Sequence, residues 1–415
     1  MLRTLVVVHR WLALIAGVFI LVLAVTGSAL VFEGAIDRAL NPSLWHVTSC
    51  ARQLPLDTLV ARALAASPGQ QMGGLTVRSA ADAPVVVSLA DRSSLAVNPY
   101  TGATTRPAPR LRAFFTEVER WHRSLALGTG ARSPLGTAVT GACNLAFLFL
   151  IVTGPFLWMP RRWSRRAVRA VALINRRASG RARDWNWHHV LGIWCAPALL
   201  LIVASATFMS YQWPQRLVAR ATGSPLPAAE GEGRGAGGPG ASEGGRARRG
   251  GREGREGREG REARGGPIAS AAPRASLDTL VARAAAGAAT WYSVQLRLPR
   301  EGRGPVNATV ATSAGTRPDT RVQRTLDPAT GRVLSDQGYA TLDVARRVRA
   351  WVRPVHTGEV AGLLGQTIAT LVSLGAVVLT YTGLALSWRR LRAALARREL
   401  ADLEVVDQAP LTDAA

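Results

Sequence analysis

Four stretches of this chain are long and apolar enough to cross a lipid bilayer, and this constrains the fold more than any other feature. They run from Trp11 to Phe32, Leu135 to Trp158, Val190 to Trp213 and Val360 to Trp388, each almost free of charge. A helix needs about 20 such residues to span roughly 30 Å of hydrocarbon. A core helix of a soluble domain is usually shorter and keeps a polar stripe. An apolar content of 48% over 415 residues fits a chain that is only partly in water.

Charge placement gives the expected orientation. The net charge of +24 comes from arginine alone, since the sequence contains no lysine. Arginines crowd PRRWSRRAVRAVALINRRASGRARD (160–184) and WRRLRAALARRE (388–399), and short segments of this kind stay on the cytoplasmic side. Both termini are therefore expected inside, with the segments after the first and third spans outside. A nucleic-acid patch is the competing reading of such charge, and spans on both flanks argue against it. The first apolar stretch is too long for a secretory signal and lacks a small-residue cleavage site, so it reads as an uncleaved span. Cys50, Cys143 and Cys195 share no metal-like spacing and offer no disulfide framework.

The chain also reads as two parallel halves. LDTLVARA occurs at Leu56–Ala63 and again at Leu277–Ala284, while NPYTGATT (98–105) parallels DPATGRVL (327–334) as an Asx-Pro and Gly turn. Between these landmarks lie strand-like runs: APVVVSLA and SLAVN in the first half, WYSVQLRL, VNATVAT and TRVQRTLD in the second. HRWLALIAGVFILVLAVTGSALVF aligns with HHVLGIWCAPALLLIVASATFMSY, and VTGPFLWMPRR with YTGLALSWRR. The expected fold is an α-helical membrane protein with four transmembrane helices in two parallel repeats, each carrying a small external α+β domain.

The boundaries follow from these landmarks. Span one covers 1–32, the first external domain 33–134, span two 135–158 and an Arg-rich cytoplasmic loop 159–187. Span three covers 188–213, a flexible Gly/Arg/Glu linker 214–273, the second external domain 274–355, span four 356–388 and a cytoplasmic tail 389–415. The core of the linker (228–267) holds almost nothing apolar and cannot bury enough surface to order itself.

Of six histidines, five lie at or near span ends. His9 and His188 (or His189) open spans one and three on the inner face. His122 and His356 precede spans two and four on the outer face. Polar side chains at membrane depth are costly and turn inward to a partner. A pair of neutral imidazoles from facing helices is the arrangement a six-coordinate haem requires, whereas zinc wants four clustered ligands. Taken one at a time, the same histidines also suit interfacial anchoring; a matched pair at each face favours haem. Gly17, Gly27, Gly141, Gly154, Gly192, Gly375 and Gly383 provide close approach within the spans, as ordinary helix packing also would. His188 and His189 point about 100° apart on a helix, so one iron takes one of them. Alignment sets His188 on His9 and His189 on Arg10, which selects His188. His46 has no counterpart and reads as an interfacial residue beside Trp45.

These motifs resemble the PepSY-associated transmembrane family of bacterial inner-membrane proteins, which includes iron-uptake-linked proteins and siderophore reductases. The resemblance rests on HRWLALIAG with VTGSALVFEGAID, WHRSLALG, VTGPFLWMPRR, HHVLGIWCAP, and HTGEVAGLLGQ with TYTGLALSWRR. It implies PepSY domains outside the membrane and haem b, two groups in number, held through His9, His122, His188 and His356. It further implies electron transfer outward to a periplasmic acceptor, a ferric siderophore or another ferric compound. No GxGxxG fingerprint follows a strand-like run and no reductase module is read, so electrons are expected from a quinol or a separate cytoplasmic protein. Trp121 and Trp351 lie near the outer histidines and suit either a haem edge or the interface. Two other readings stand beside this one: a non-enzymatic PepSY membrane protein that binds or regulates a periplasmic partner, and an iron-chelate transporter. The near absence of charge within the spans speaks against the last.

Overall fold

The structure is a computed structural model that describes residues 2–50, 52–91, 93–128, 133–159, 164–226, 274–299 and 304–407. Its longest helices are α1 (Leu2–Val31), α5 (Pro134–Trp158), α7 (Gly180–Ser210) and α11 (Gly362–Asp407). Each contains a stretch long and apolar enough to cross a membrane. They form a ring in which α1 and α7 are each flanked by α5 and α11. Small residues line the contacts, with Ala16, Ile20 and Cys143 buried in one cluster and Ile151, Cys195, Leu199 and Ala376 in another. The outward faces stay apolar and bare: Ile15 is 69% exposed and Leu371 62% exposed. Such surface would be a liability in water and is what lipid solvates.

Eight strands build one sheet at the end of the ring where α1 finishes and α5 begins. They are β1 (Met72–Arg78), β2 (Val85–Leu89), β3 (Ser94–Val97), β4 (Thr104–Thr105), β5 (Ser293–Arg297), β6 (Val306–Ala311), β7 (Arg321–Leu326) and β8 (Val333–Gly338). The order is β4-β3-β2-β1-β5-β6-β7-β8, antiparallel throughout. The two chain segments meet at β1 and β5, where Gly74 pairs with Arg297 and Arg78 with Ser293. Gly74 permits this, because a Cβ there would lie 2.7 Å from the Leu296 carbonyl oxygen. Alternating burial along β2 and β5 turns Val87 and Leu296 into a core shared with α3 (Leu56–Ala65) and α9 (Leu277–Ala285). The two LDTLVARA segments form these helices, and Leu59 and Leu280 are fully buried beneath them.

The strand-like runs of the sequence fall on β2, β3, β5, β6 and β7. β1 (MGGLTVR) is not among those runs, because its two glycines, Gly73 and Gly74, break the alternation that marks a strand.

Shorter helices connect sheet and ring: α2 (Glu33–Leu40) after α1, and α4 (Pro109–Ser124) against α1 and α5. Beyond the third span come α8 (Gln212–Ala221) and then α10 (Val344–Thr357), which packs on α7 and α8. Two expected loops differ from expectation. The 159–187 segment contains α6 (Arg165–Ala172) and the first residues of α7, which starts at Gly180. Asn186 explains the early start: its amide donates to the Ala170 and Leu173 carbonyls and its oxygen accepts from the Asn175 backbone N–H, tying the connection to α7. Residues 214–221, expected to begin the linker, are helical in α8; the Gly-rich core of that linker lies outside the described residues.

Candidate functional site

Helix α4 ends abruptly. Leu125 and Ala126 both adopt left-handed backbone (φ 52° and 54°), a conformation costing a non-glycine residue about 1–2 kcal/mol. Gly136 on α5 abuts the Ser124 carbonyl so closely that a Cβ there would collide with it. The turn presses the last part of α4 onto α1 and delivers His122 to it. Asp343 caps the other delivering helix, α10, by accepting from the Arg346 N–H, and Gly358 (φ 74°) ends it just past His356.

All four proposed ligand histidines use Nδ1 in the same way, against a neighbouring helix. His122 Nδ1 donates to the Leu23 carbonyl (3.1 Å) and the Thr26 hydroxyl (3.1 Å) of α1. His356 Nδ1 donates to the Ile202 carbonyl (2.9 Å) and the Ser205 hydroxyl (3.2 Å) of α7. His188 Nδ1 donates to the Leu379 carbonyl (3.0 Å) and the Thr382 hydroxyl (3.1 Å) of α11. His9 Nδ1 meets the Thr153 hydroxyl of α5 at 2.9 Å.

These bonds assign the tautomer. A carbonyl can only accept, and each hydroxyl already donates to a carbonyl of its own helix: Thr26 to Val22, Thr153 to Phe149, Ser205 to Ile202 and Thr382 to Val378. The proton therefore sits on Nδ1 of His122, His188 and His356, each of which faces a carbonyl, and this leaves the Nε2 lone pair for another partner. On α4 and α10, which flank the spans without crossing, burial lowers both histidine pKa values. His122 falls to about 4, helped by the nearby His356. Both are neutral near pH 7, the form in which imidazole binds a metal.

The histidines fall into two pairs. At the sheet-proximal end the His122 and His356 ring centres are 6.2 Å apart. Two imidazoles on opposite sides of one metal, with metal–nitrogen bonds of about 2 Å, place their ring centres about 6.3 Å apart. At the sheet-distal end His9 docks on Thr153 of α5, and His188 on Leu379 and Thr382 of α11. Glycine makes room at both ends: a Cβ on Gly27 would stand 3.0 Å from His122 Cε1, and one on Gly383 3.1 Å from His188 Cε1. Among the described residues no three His, Cys, Asp or Glu side chains gather as a metal cluster. The sheet-proximal end offers two imidazoles, a set that fits a cofactor bringing its own equatorial ligands.

Separation alone does not mark a pair, since the rings of His188 and its neighbour His189 are also 6.2 Å apart. Hydrogen bonding distinguishes them. His189 Nδ1 donates to Trp185 in its own helix (2.8 Å) and its ring stacks on that indole at 4.0 Å.

The sequence reading missed the hydroxyls. VTG at 25–27 and 152–154 and YTG at 381–383 recur where each histidine docks, and this recurrence was the available signal. The second half breaks it with Ser205-Ala206. Neither tryptophan near the sheet-proximal pair makes its hydrogen bond there: Trp121 donates to Glu117 and Trp351 to the Tyr339 hydroxyl. His46, expected as an interfacial residue, pairs with Asp82 at 2.8 Å in an exposed position.

Fold and site together define a membrane protein with a ring of four apolar helices, half-buried histidines on and beside it, and a sheet domain at one end. The sequence matches the model of the PepSY-associated TM region over residues 6–390, and the chain belongs to that family. No curated protein matches it.

Proposed function

We propose that this protein is an inner-membrane electron conduit holding two b-type haems. His9 and His188 would be the axial ligands on the cytoplasmic side, His122 and His356 those on the periplasmic side. The observation that carries the reading is the common state of the four imidazoles: half-buried and tied through Nδ1 to a neighbouring helix, with no Nε2 hydrogen bond among the described residues. A hydrogen bond at the second nitrogen orients a ligating histidine and raises its basicity. Bound haem would supply one-electron redox chemistry at two depths, shortening each transfer step across about 30 Å of hydrocarbon.

The chain's own part is to fix the rings, keep them neutral and exclude water. The Arg-rich segments at the sheet-distal end support a cytoplasmic location for that end. The sheet, formed from the two segments read as PepSY domains of a parallel repeat, then lies in the periplasm beside His122 and His356. Electrons from a quinol or a separate cytoplasmic protein would leave there to a ferric acceptor such as a ferric siderophore. Reduction to Fe(II) weakens a hard-oxygen chelate.

The test is a reduced-minus-oxidised visible spectrum of the purified protein after expression with ample haem. A b-type spectrum is expected, and a colourless protein would overturn the reading.

A further inference from the structure

Asp184 is a charged group for which neither the ligand geometry nor the expected topology has a use. It is 1% exposed, and its carboxylate lies 3.0 Å from the Arg183 guanidinium and 3.0 Å from that of Arg389 on α11. The Arg389 contact is an ion pair off the hydrogen-bond line, because Oδ2 makes no directed hydrogen bond. Burying a carboxylate is costly unless it is paired, and an apolar pair would join two helices with less penalty. The other half of the chain has an apolar residue, Leu5, at the position aligned with Asp184.

Position supplies the reason. Asp184 precedes His188 by four residues on α7, which sets the two on one helical face about 6 Å apart. Arg389 follows Thr382 by seven residues on α11, again on one face. The helix faces that hold His188 through Leu379 and Thr382 are thus joined a turn or two further on by Asp184 and Arg389.

We propose that Asp184, held by Arg389, is a positioning residue that sets the redox potential of the centre ligated by His188. The inference rests on the haem reading above. A fixed anion near the iron stabilises the ferric state, which carries one more positive charge than the ferrous, and so lowers the potential. Arg183 and Arg389, both on that carboxylate, oppose it. Removing either charge moves the potential in opposite directions, whereas merely loosening the helix contact would move both variants the same way.

The experiment is a spectroscopic redox titration of the purified, haem-loaded full chain. Asp184→Asn should raise the potential of one centre and Arg389→Gln should lower that same centre, with the other centre unmoved. Unchanged potentials in both variants at full haem content, or shifts of the same sign, would overturn the inference. If Asp184→Asn does not fold, Arg389→Gln decides alone: a lowered potential supports the proposal and an unchanged or raised one overturns it. A colourless wild-type protein is a different failure, and it removes the haem reading itself.

Discussion

Asp57 and Asp278 cap each other's helices. The Asp57 carboxylate accepts from the Leu277 N–H that opens α9, and the Asp278 carboxylate accepts from the Leu56 N–H that opens α3, both at 3.0 Å. A capping carboxylate satisfies an orphan N–H and favours the positive helix end. Here each cap belongs to the other segment, so the two helix starts stabilise one another. Loss of such a cap costs about 1 kcal/mol. Asp57→Ala and Asp278→Ala should each lower the unfolding midpoint of the purified protein. Each removes a bond made to the other helix, so the effects should be close in size; a loss confined to one variant would show that the caps are not equivalent.

The hydroxyls beneath the histidines differ in what remains when they are removed. Thr382→Val leaves His188 its bond to the Leu379 carbonyl, whereas Thr153 supplies the one hydrogen bond described for His9. A buried donor left without a partner costs about 1–3 kcal/mol. Thr153→Val should therefore loosen the sheet-distal centre more than Thr382→Val does. Haem retention against increasing denaturant would rank them, and the reverse order would contradict the hydrogen-bond assignment.

Gly27 and Gly383 face the Cε1 atoms of His122 and His188 at distances that leave no room for a side chain. Gly27→Val should displace His122 and halve the bound haem by removing the sheet-proximal centre. Gly383→Val should do the same at the sheet-distal end. Haem-to-protein ratios, with low-temperature spectra to resolve the centres, would check both; full haem content in either variant would mean that the facing imidazole is not a ligand.

The adjacent histidines give the sharpest contrast. His188→Ala should abolish the sheet-distal centre. His189→Ala, which removes a ring stacked on Trp185, should leave haem content close to wild type. Equal loss in both, or loss in His189→Ala alone, would show that the ligand had been chosen wrongly.

The four spans were readable because hydrophobicity over some 20 residues is a local property that no distant contact can alter. For the same reason VVVSL and VNATVA could be read as strands, and MGGLTVR, with Gly73 and Gly74 in it, could not. His9, His122 and His356 stood out by their place at span ends, and alignment alone preferred His188 over His189. None of this could say what Nδ1 of any histidine touches, since Thr26, Thr153, Ser205 and Thr382 lie 96 to 194 residues away and on other helices.

By itself the sequence determined the number and place of the apolar helices, where the arginine charge falls between them and how few histidines stand at their ends. Tertiary structure alone decided that β1 and β5 would join two segments into one sheet, that Asp57 and Asp278 would exchange caps, and that Asp184 would be buried against Arg389. The physical reason is range. Hydropathy and periodicity act between neighbours in the chain, while a strand edge, a helix cap or a buried carboxylate takes whichever partner the packed helices bring within about 3 Å.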